Sequence, residues 1–356
     1  KGKTMAQRWK QRPPGSNWGE FGPDDQRGRM NYVTRDKVLQ GVAEVKEGIS
    51  FCLSLPLDFP GGNVLNPRRL PPRQFATVRD SGKGAGMQNF CYPMAEDNPD
   101  VTDVVCDDVV LMTLQYSTQW DSFAHVGSLF DADGDGTPEI VFYNGFRAKE
   151  HVKPAKKKEG VESWAQYEGA KADALGIQNL AEHGAQGRGV MIDLHAHYGR
   201  ERKPIGYDDL MRVLEADKVA IEKGDMVCIY TGFADVILEL AKAPDAKLLN
   251  NTGTGLDGRD AKLLQWVSDS GLAVLISDNY AVEIIPASIF APRPHAALPL
   301  PEQCLFKNGI HPGETWYPPE PSNCLRSHQP RPLLVTPPPL PPPGPEAAAP
   351  DPRATL

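Results

Sequence analysis

Long apolar runs are missing from this sequence. No stretch approaches the roughly 20 consecutive apolar residues that a membrane-spanning helix needs, so a bilayer partner is not expected. The start, Lys1 to Arg12, is polar and basic with no apolar h-region. No signal peptide is therefore expected, and the cytoplasm is the expected compartment. Positive charge is also scarce: the formal net charge is -8, which leaves no field to gather phosphate backbones and argues against nucleic acid. The longest basic run, Lys153 to Lys158, reads as a solvated loop. The six cysteines (Cys52, Cys91, Cys106, Cys228, Cys304 and Cys324) form no C-x-x-C pair. That spacing excludes a zinc ribbon, and a disulfide framework is not expected in a chain of this size. Cys52, Cys106 and Cys228 lie in or beside apolar runs, where a thiol acts as a small hydrophobe. A G-x-S-x-G elbow, a Walker A loop and a G-x-G-x-x-G fingerprint are all missing, so acyl-enzyme, nucleotide and nicotinamide chemistries have no support. The Gly82, Gly84, Gly86 run has no strand-to-helix context and reads as a loop.

What remains is an ordinary globular composition, 40% hydrophobic and 24% charged. Residues 1–35 are rich in turn formers and are expected to wrap over another surface. Thr34 is placed to cap a helix running to about Glu47, with Val38, Val42 and Val45 on one face. "ISFCLSLPLD" from Ile49 is strand-like. Asp107 to Gln115, Gly189 to Leu194, Asp225 to Gly232 and Leu272 to Asp278 are short β-rich runs, apolar on both faces as interior strands are. Helical patterns at Tyr207 to Ala216, Ala234 to Ala243 and Arg259 to Asp269, the last with Gly271 as its cap, separate the later runs. The alternation predicts one α/β domain over residues 36–326. The Pro-rich tail, 327–356, is expected to be polyproline-like or disordered, strapped over a neighbouring subunit.

The densest polar cluster after a strong strand pattern is "LQYSTQWDSFAH", Leu114 to His125. If the strand ends near Gln115, then Gln115, Gln119, Asp121 and His125 fall on a loop at its C-terminal edge, where α/β folds collect ligands. Asp121 offers charge to a cation, and His125 either ligates or shuttles a proton. Spacing alone favours an Asp and a His that satisfy a turn, because no three-His pattern is present. Trp120 and Phe123 read either as pocket walls for a flat substrate or as core residues.

The chain resembles the cyclase family, whose members include kynurenine formamidases, isatin hydrolases and trans-dienelactone hydrolases. The matching stretches are "WGEFGPDDQRGRMNYVT", "QYSTQWDSFAHVG", "GRGVMIDLHAHYG", "GDMVCIYTGF", "LLQWVSDSGLAVLISDNYAVEIIP" and "CLFKNGIHPGETWY", in the family's order. The resemblance implies a single cyclase-type (swivelling β/α/β-like) α/β domain with an extended N-terminal segment and the Pro-rich tail. The family's H-x-G-T-H-x-D-x-x-x-H metal motif, laid on this chain, puts Gln115 and Gln119 at its first two His positions, Asp121 on its Asp and His125 on its last His. Glu314 matches the family's Glu; the remaining His position falls on Pro301, with Gln303 nearby. The implied ligand set is Gln115, Gln119, Asp121, Glu314 and Gln303. Such oxygen-rich ligands suit Mn²⁺ or Mg²⁺ better than Zn²⁺, although Zn²⁺ stays within the family's range. His125 would be the acid/base, and the resemblance also places His197 at the site. Tyr116, Trp120, Phe123, Asn279 and Glu283 are the expected substrate contacts.

Two further features have plainer readings beside the chemical ones. "DADGDG", Asp131 to Gly136, copies the first half of an EF-hand loop, but its twelfth position is Phe142 rather than Glu, which favours an Asx-rich turn. His195 and His197 alternate after a strand, so only one faces a pocket if the strand continues. The expected function is metal-dependent hydrolysis of a C–N or C–O bond in a small cyclic or aryl amide, imide or lactone, by a homodimer or homotetramer. The alternatives are a non-catalytic small-molecule binder on the same fold, and a scaffold recruited through its Pro-rich tail.

Overall fold

A computed structural model describes residues 7–160, 167–287, 294–328, 332–339 and 347–356 of the protein. Its central sheet contains β1 (Ser50–Cys52), β2 (Gln119–Asp121), β3 (Gly187–Asp193), β4 (Met226–Tyr230), β5 (Val274–Ser277), β6 (His311–Glu314), β7 (Leu333–Thr336), β8 (Ala347–Ala348) and β9 (Arg353–Thr355). The strand order is β1-β9-β7-β3-β4-β5-β6-β2-β8. The strands β3 to β6 run parallel, and the flanking pairs are antiparallel. Every residue of β3, β4, β5 and β6 is buried, as expected where both faces of a sheet are covered.

The helices α1 (Arg35–Ala43), α2 (Tyr207–Ala216), α3 (Phe233–Glu239) and α4 (Ala261–Asp269) accompany the sheet. Thr34 caps α1 by accepting the Lys37 N–H. The helix turns Lys37 and Gly41 inward, whereas Val42 is exposed. An internal ion network overrides the Val38–Val42–Val45 face: Lys37 Nζ lies 2.7 Å and Arg188 Nη1 2.5 Å from Asp225, which is fully buried.

The N-terminal segment packs on the domain through aromatic edges. Trp18 meets Trp9 and Phe306 edge-on and donates its indole N–H to the Phe306 carbonyl at 2.7 Å. Arg29, itself buried, donates to the carbonyls of Val267 and Ser268 at the end of α4. The segment crosses the turn before β6 where Gly28 (φ +52) meets Gly309 (φ +57); a Cβ on Gly28 would come within 2.1 Å of the Gly309 oxygen.

Two further expectations change. The run Asp107 to Gln115 is not an interior strand. Asp108–Leu111 pairs only with Arg73–Ala76, in a two-stranded arm outside the central sheet, and Val109 and Val110 are half exposed. Their β-branched side chains favour an extended backbone but do not select a sheet. The tail also differs: Leu333–Thr336 pairs with Gly187–Gly189, Arg353–Thr355 closes on β1, and Ala347–Ala348 covers the free side of β2. Its short apolar runs lie between the prolines and supply donors where the prolines cannot.

Candidate functional site

A cavity of about 680 Å³ opens beside the β2–β6 edge, with Asp121 and Glu314 among its walls. Strand alternation explains the placement. Gln119 faces Glu314 in register, and Asp121, two residues along, shares the Gln119 face. Trp120 points the other way, into the core, where it meets Trp316 edge-on and donates to the Pro337 carbonyl. The rest of the "QYSTQWD" segment ties the strand to the loop after β1. Tyr116 hydroxyl donates to the Gly62 carbonyl, Ser117 to that of Pro56, and Thr118 to that of Thr315 while accepting the Leu55 N–H.

Gln119, Asp121 and Glu314 are brought together and buried. Gln119 Nε2 stands 3.1 Å from both Asp121 Oδ1 and Glu314 Oε2, while Arg69 Nη1 lies 3.4 Å from Gln119 Oε1. Burial, and then the neighbouring Asp121 carboxylate, push the Glu314 pKa well above its ordinary value, against the pull of Arg69. A turn in which the His125 N–H donates to the Ser122 carbonyl returns His125 to the cluster, with Nε2 4.0 Å from Asp121 Oδ2 and Nδ1 buried without a hydrogen-bond partner. Gln115 and Tyr116 line the same cavity.

The other expected site residues lie elsewhere. Leu194–Tyr198 forms a helical turn instead of continuing the strand, so His197 reaches outward to Asp217 (2.9 Å). Gln303 turns away from the cavity and donates to Ser268 Oγ at 2.7 Å; Pro301 is the residue of that segment that lines the cavity. Phe123 is fully buried and stacks on His311, with ring centroids 4.0 Å apart. Trp120 and Phe123 are therefore core residues and not pocket walls. Asn279 spends its side chain on the Thr254 carbonyl and the Ala281 N–H, and its own carbonyl accepts the N–H of Thr315, whose φ of 57° is costly for a β-branched residue. The cavity wall is instead continued by its neighbours Tyr280 and Ala281.

Glu283 also lies outside the cavity lining: it is buried, accepts the Leu300 N–H at 3.3 Å, and its Oε1 has no hydrogen-bond partner. Desolvation raises its pKa from the usual 4.5 to about 8. The folded state therefore binds a proton more readily than the unfolded state. Its stabilising contribution is complete below pH 4.5 and is lost as pH rises to about 8. Denaturant titrations of a Glu283→Gln variant should show a flatter stability profile across that window. An identical slope in both proteins would contradict this.

Sequence reasoning missed three residues near the centre. Arg68 and Arg69 line the cavity from the loop after β1, where two adjacent arginines amid proline and glycine were the available signal. His311, buried, meets the Asp121 carbonyl through Nδ1 at 2.9 Å, and desolvation lowers its pKa to about 4, so it is a neutral prop beneath β2. The "DADGDG" carboxylates do cluster, but Asp131 spends its oxygens on the backbone N–H groups of Gly134, Asp135 and Gly136, as an Asx-rich turn does.

The chain is similar to the crystal structure of a novel cyclase, at 26% identity and a TM-score of 0.71 over 96% of this chain and 99% of that one. Isatin hydrolase A from Labrenzia aggregata, solved with benzyl benzoate, shares the fold at 12% identity and a TM-score of 0.52, over 90% of this chain and 97% of that one. An isatin hydrolase bound to the product analogue thioisatinate does so at 11% and 0.51, over 91% and 99%. No protein of curated function matches the chain in sequence. Among the described residues, no helix is long and apolar enough to cross a membrane. The cyclase family model matches residues 53–284, the span that carries β2 to β5 and their connections, and the chain belongs to that family.

Proposed function

We propose that the protein is a metal-dependent hydrolase that opens a C–N or C–O bond in a small cyclic or aryl amide, imide or lactone. The observation that carries this reading is the convergence of Asp121 and Glu314, both buried, around the Gln119 amide. Two carboxylates sharing a desolvated site are a poor arrangement alone, and a cation between them relieves it. The donor set fits such an ion. The oxygen and nitrogen of the Gln119 amide are interchangeable by a flip, which would turn Oε1 toward both carboxylates. Gln119, Asp121 and Glu314 would hold the ion, with Gln115 and His125 at hand, and these hard oxygen ligands favour Mn²⁺ or Mg²⁺ over Zn²⁺.

A bound divalent cation would supply Lewis-acid activation of water and of the scissile carbonyl. The protein's part is to position and to move protons. His125 Nε2, next to Asp121, is the group that takes a proton from water and returns it to the leaving atom. Arg68 and Arg69 give their side of the cavity positive charge, which favours substrates bearing an acidic group. Pro301, where the family places a histidine, supports the alternative of a non-catalytic binder on the same fold.

Thermal melting with added Mn²⁺, Mg²⁺ or Zn²⁺, followed by a panel of lactones, formamides and cyclic imides, tests the proposal. At a hundredfold excess over Kd a ligand of the native state adds about 2.7 kcal/mol. A rise in Tm together with turnover of a panel member is expected. No Tm response at millimolar metal and no turnover would leave the binder reading.

A further inference from the structure

The arm that carries Arg73–Ala76 and Asp108–Leu111 also pairs Tyr92–Pro93 with Val104–Val105. Extending the register Tyr92↔Val105 by one residue sets Cys91 opposite Cys106. Their sulfur atoms are 3.6 Å apart, and the Cys91 N–H donates to Cys106 Sγ at 3.0 Å. Both thiols are exposed. The next ladder bond, from the Asp107 N–H to the Asn89 carbonyl, is out of step with that register, so Cys91 (φ 54°) occupies a bulge. Opposed residues of antiparallel strands have Cα atoms about 4.5–5.5 Å apart, within the roughly 4.4–6.8 Å that a disulfide spans. Rotation of the side chains about χ1 would close the remaining sulfur gap. Cys228 and Cys304, by contrast, are buried, and desolvation pushes both thiols up to about 12.

We propose that Cys91 and Cys106 form a reversible thiol–disulfide site that reacts with low-molecular-weight disulfides such as glutathione disulfide. One cysteine thiolate attacks a sulfur of the oxidant, breaking its S–S bond and expelling one glutathione thiolate. The other cysteine thiolate then attacks the mixed disulfide, forms the Cys91–Cys106 bond and expels the second. The protein loses two protons and two electrons, and glutathione disulfide becomes two molecules of glutathione. The location couples this chemistry to the cavity. The arm strands lead directly into Arg68–Arg69 on one side and Thr113–Gln115 on the other, all of them cavity-lining except Leu114. A bond at Cys91–Cys106 therefore ties the arm that the cavity wall grows from.

The test uses the full folded chain equilibrated over a range of glutathione disulfide to glutathione ratios, quenched with acid. Thiols are then counted in denaturant, and intact and peptide masses are measured. Oxidised protein should show two fewer thiols than its six cysteines. Its mass should fall by two hydrogens, with peptides containing Cys91 and Cys106 linked, and dithiothreitol should restore the full count. In Cys91→Ser and Cys106→Ser variants the remaining partner should take up one glutathione and form no internal bond. Six free thiols at every ratio, a glutathione adduct without ring closure in the wild type, or a link through another cysteine would each overturn the proposal.

Discussion

Asp121→Asn should reduce turnover of any panel substrate at least a hundredfold and abolish the rise in Tm on adding Mn²⁺. Asp121 is fully buried, sits 3.1 Å from the Gln119 amide, and shares the strand face of Gln119, whose register partner across β2 and β6 is Glu314. The substitution keeps size and shape but removes one of the two charges proposed to balance the ion. Even outer partners of metal ligands cost about 10–100-fold when removed, so a direct ligand should cost at least the upper end. The metal-free variant supplies the control. With its like-charged neighbour neutralised, Glu314 is under less repulsion, and the variant should melt no lower than the wild type. Activity and metal response equal to wild type would count against the role assigned to Asp121. A variant that melts far lower without metal would show that Asp121 matters for folding instead.

The largest stability effect should come from Asp225→Ala, far along the sheet at the start of β4. Lys37 and Arg188, each 6% exposed, both turn their charge onto this carboxylate, which also accepts the Glu222 N–H at 2.7 Å. Removing it leaves two buried cations with the half-exposed Glu222 and, for Arg188, Glu44 at 3.6 Å as their remaining carboxylates. Breaking such a network by taking away one partner costs about 3–5 kcal/mol. Urea denaturation measures this directly. Asp225→Asn, which can still accept the N–H, should lose less than Asp225→Ala. A cost under about 1 kcal/mol for the alanine variant would mean that water, Glu222 or Glu44 compensates the cations.

The parts of the fold that were legible in the sequence are those set by local pattern. The apolar runs Gly189 to Leu194, Asp225 to Gly232 and Leu272 to Asp278 hold β3, β4 and β5 to within two residues at each end, and the helix expected over Tyr207 to Ala216 formed with those bounds. The α/β class follows from their alternation. Features decided by long-range pairing were not legible. Val109 and Val110 have the side chains of an interior strand yet sit on an exposed arm, because no local property says which sheet a strand will join. Leu333–Thr336 lies in the tail expected to be polyproline-like or disordered and is instead the neighbour of β3.

The site was legible to the same extent. The period of a strand is enough to put Gln119 and Asp121 on one face and Trp120 on the other, once β2 is known to be a strand. Bringing Glu314 opposite Gln119 depends on a register between segments far apart in the chain, which only the family motif hinted at. His197 was misjudged because the chain turns helical at Leu194, and Gln303 because its helix presents Pro301 to the cavity. Arg69 has no motif at all; it acquires meaning only when its loop is folded onto β2.

The central claim is that Gln119, Asp121 and Glu314 retain a divalent cation without the family's histidines. Anomalous diffraction from crystals grown with Mn²⁺ tests it most directly. The expected result is a manganese peak bounded by the oxygens of those three side chains, weakened or lost in crystals of Asp121→Asn. Crystals whose manganese appears only at Asp131–Asp135, with the Arg69 guanidinium filling the space between Asp121 and Glu314, would contradict the claim.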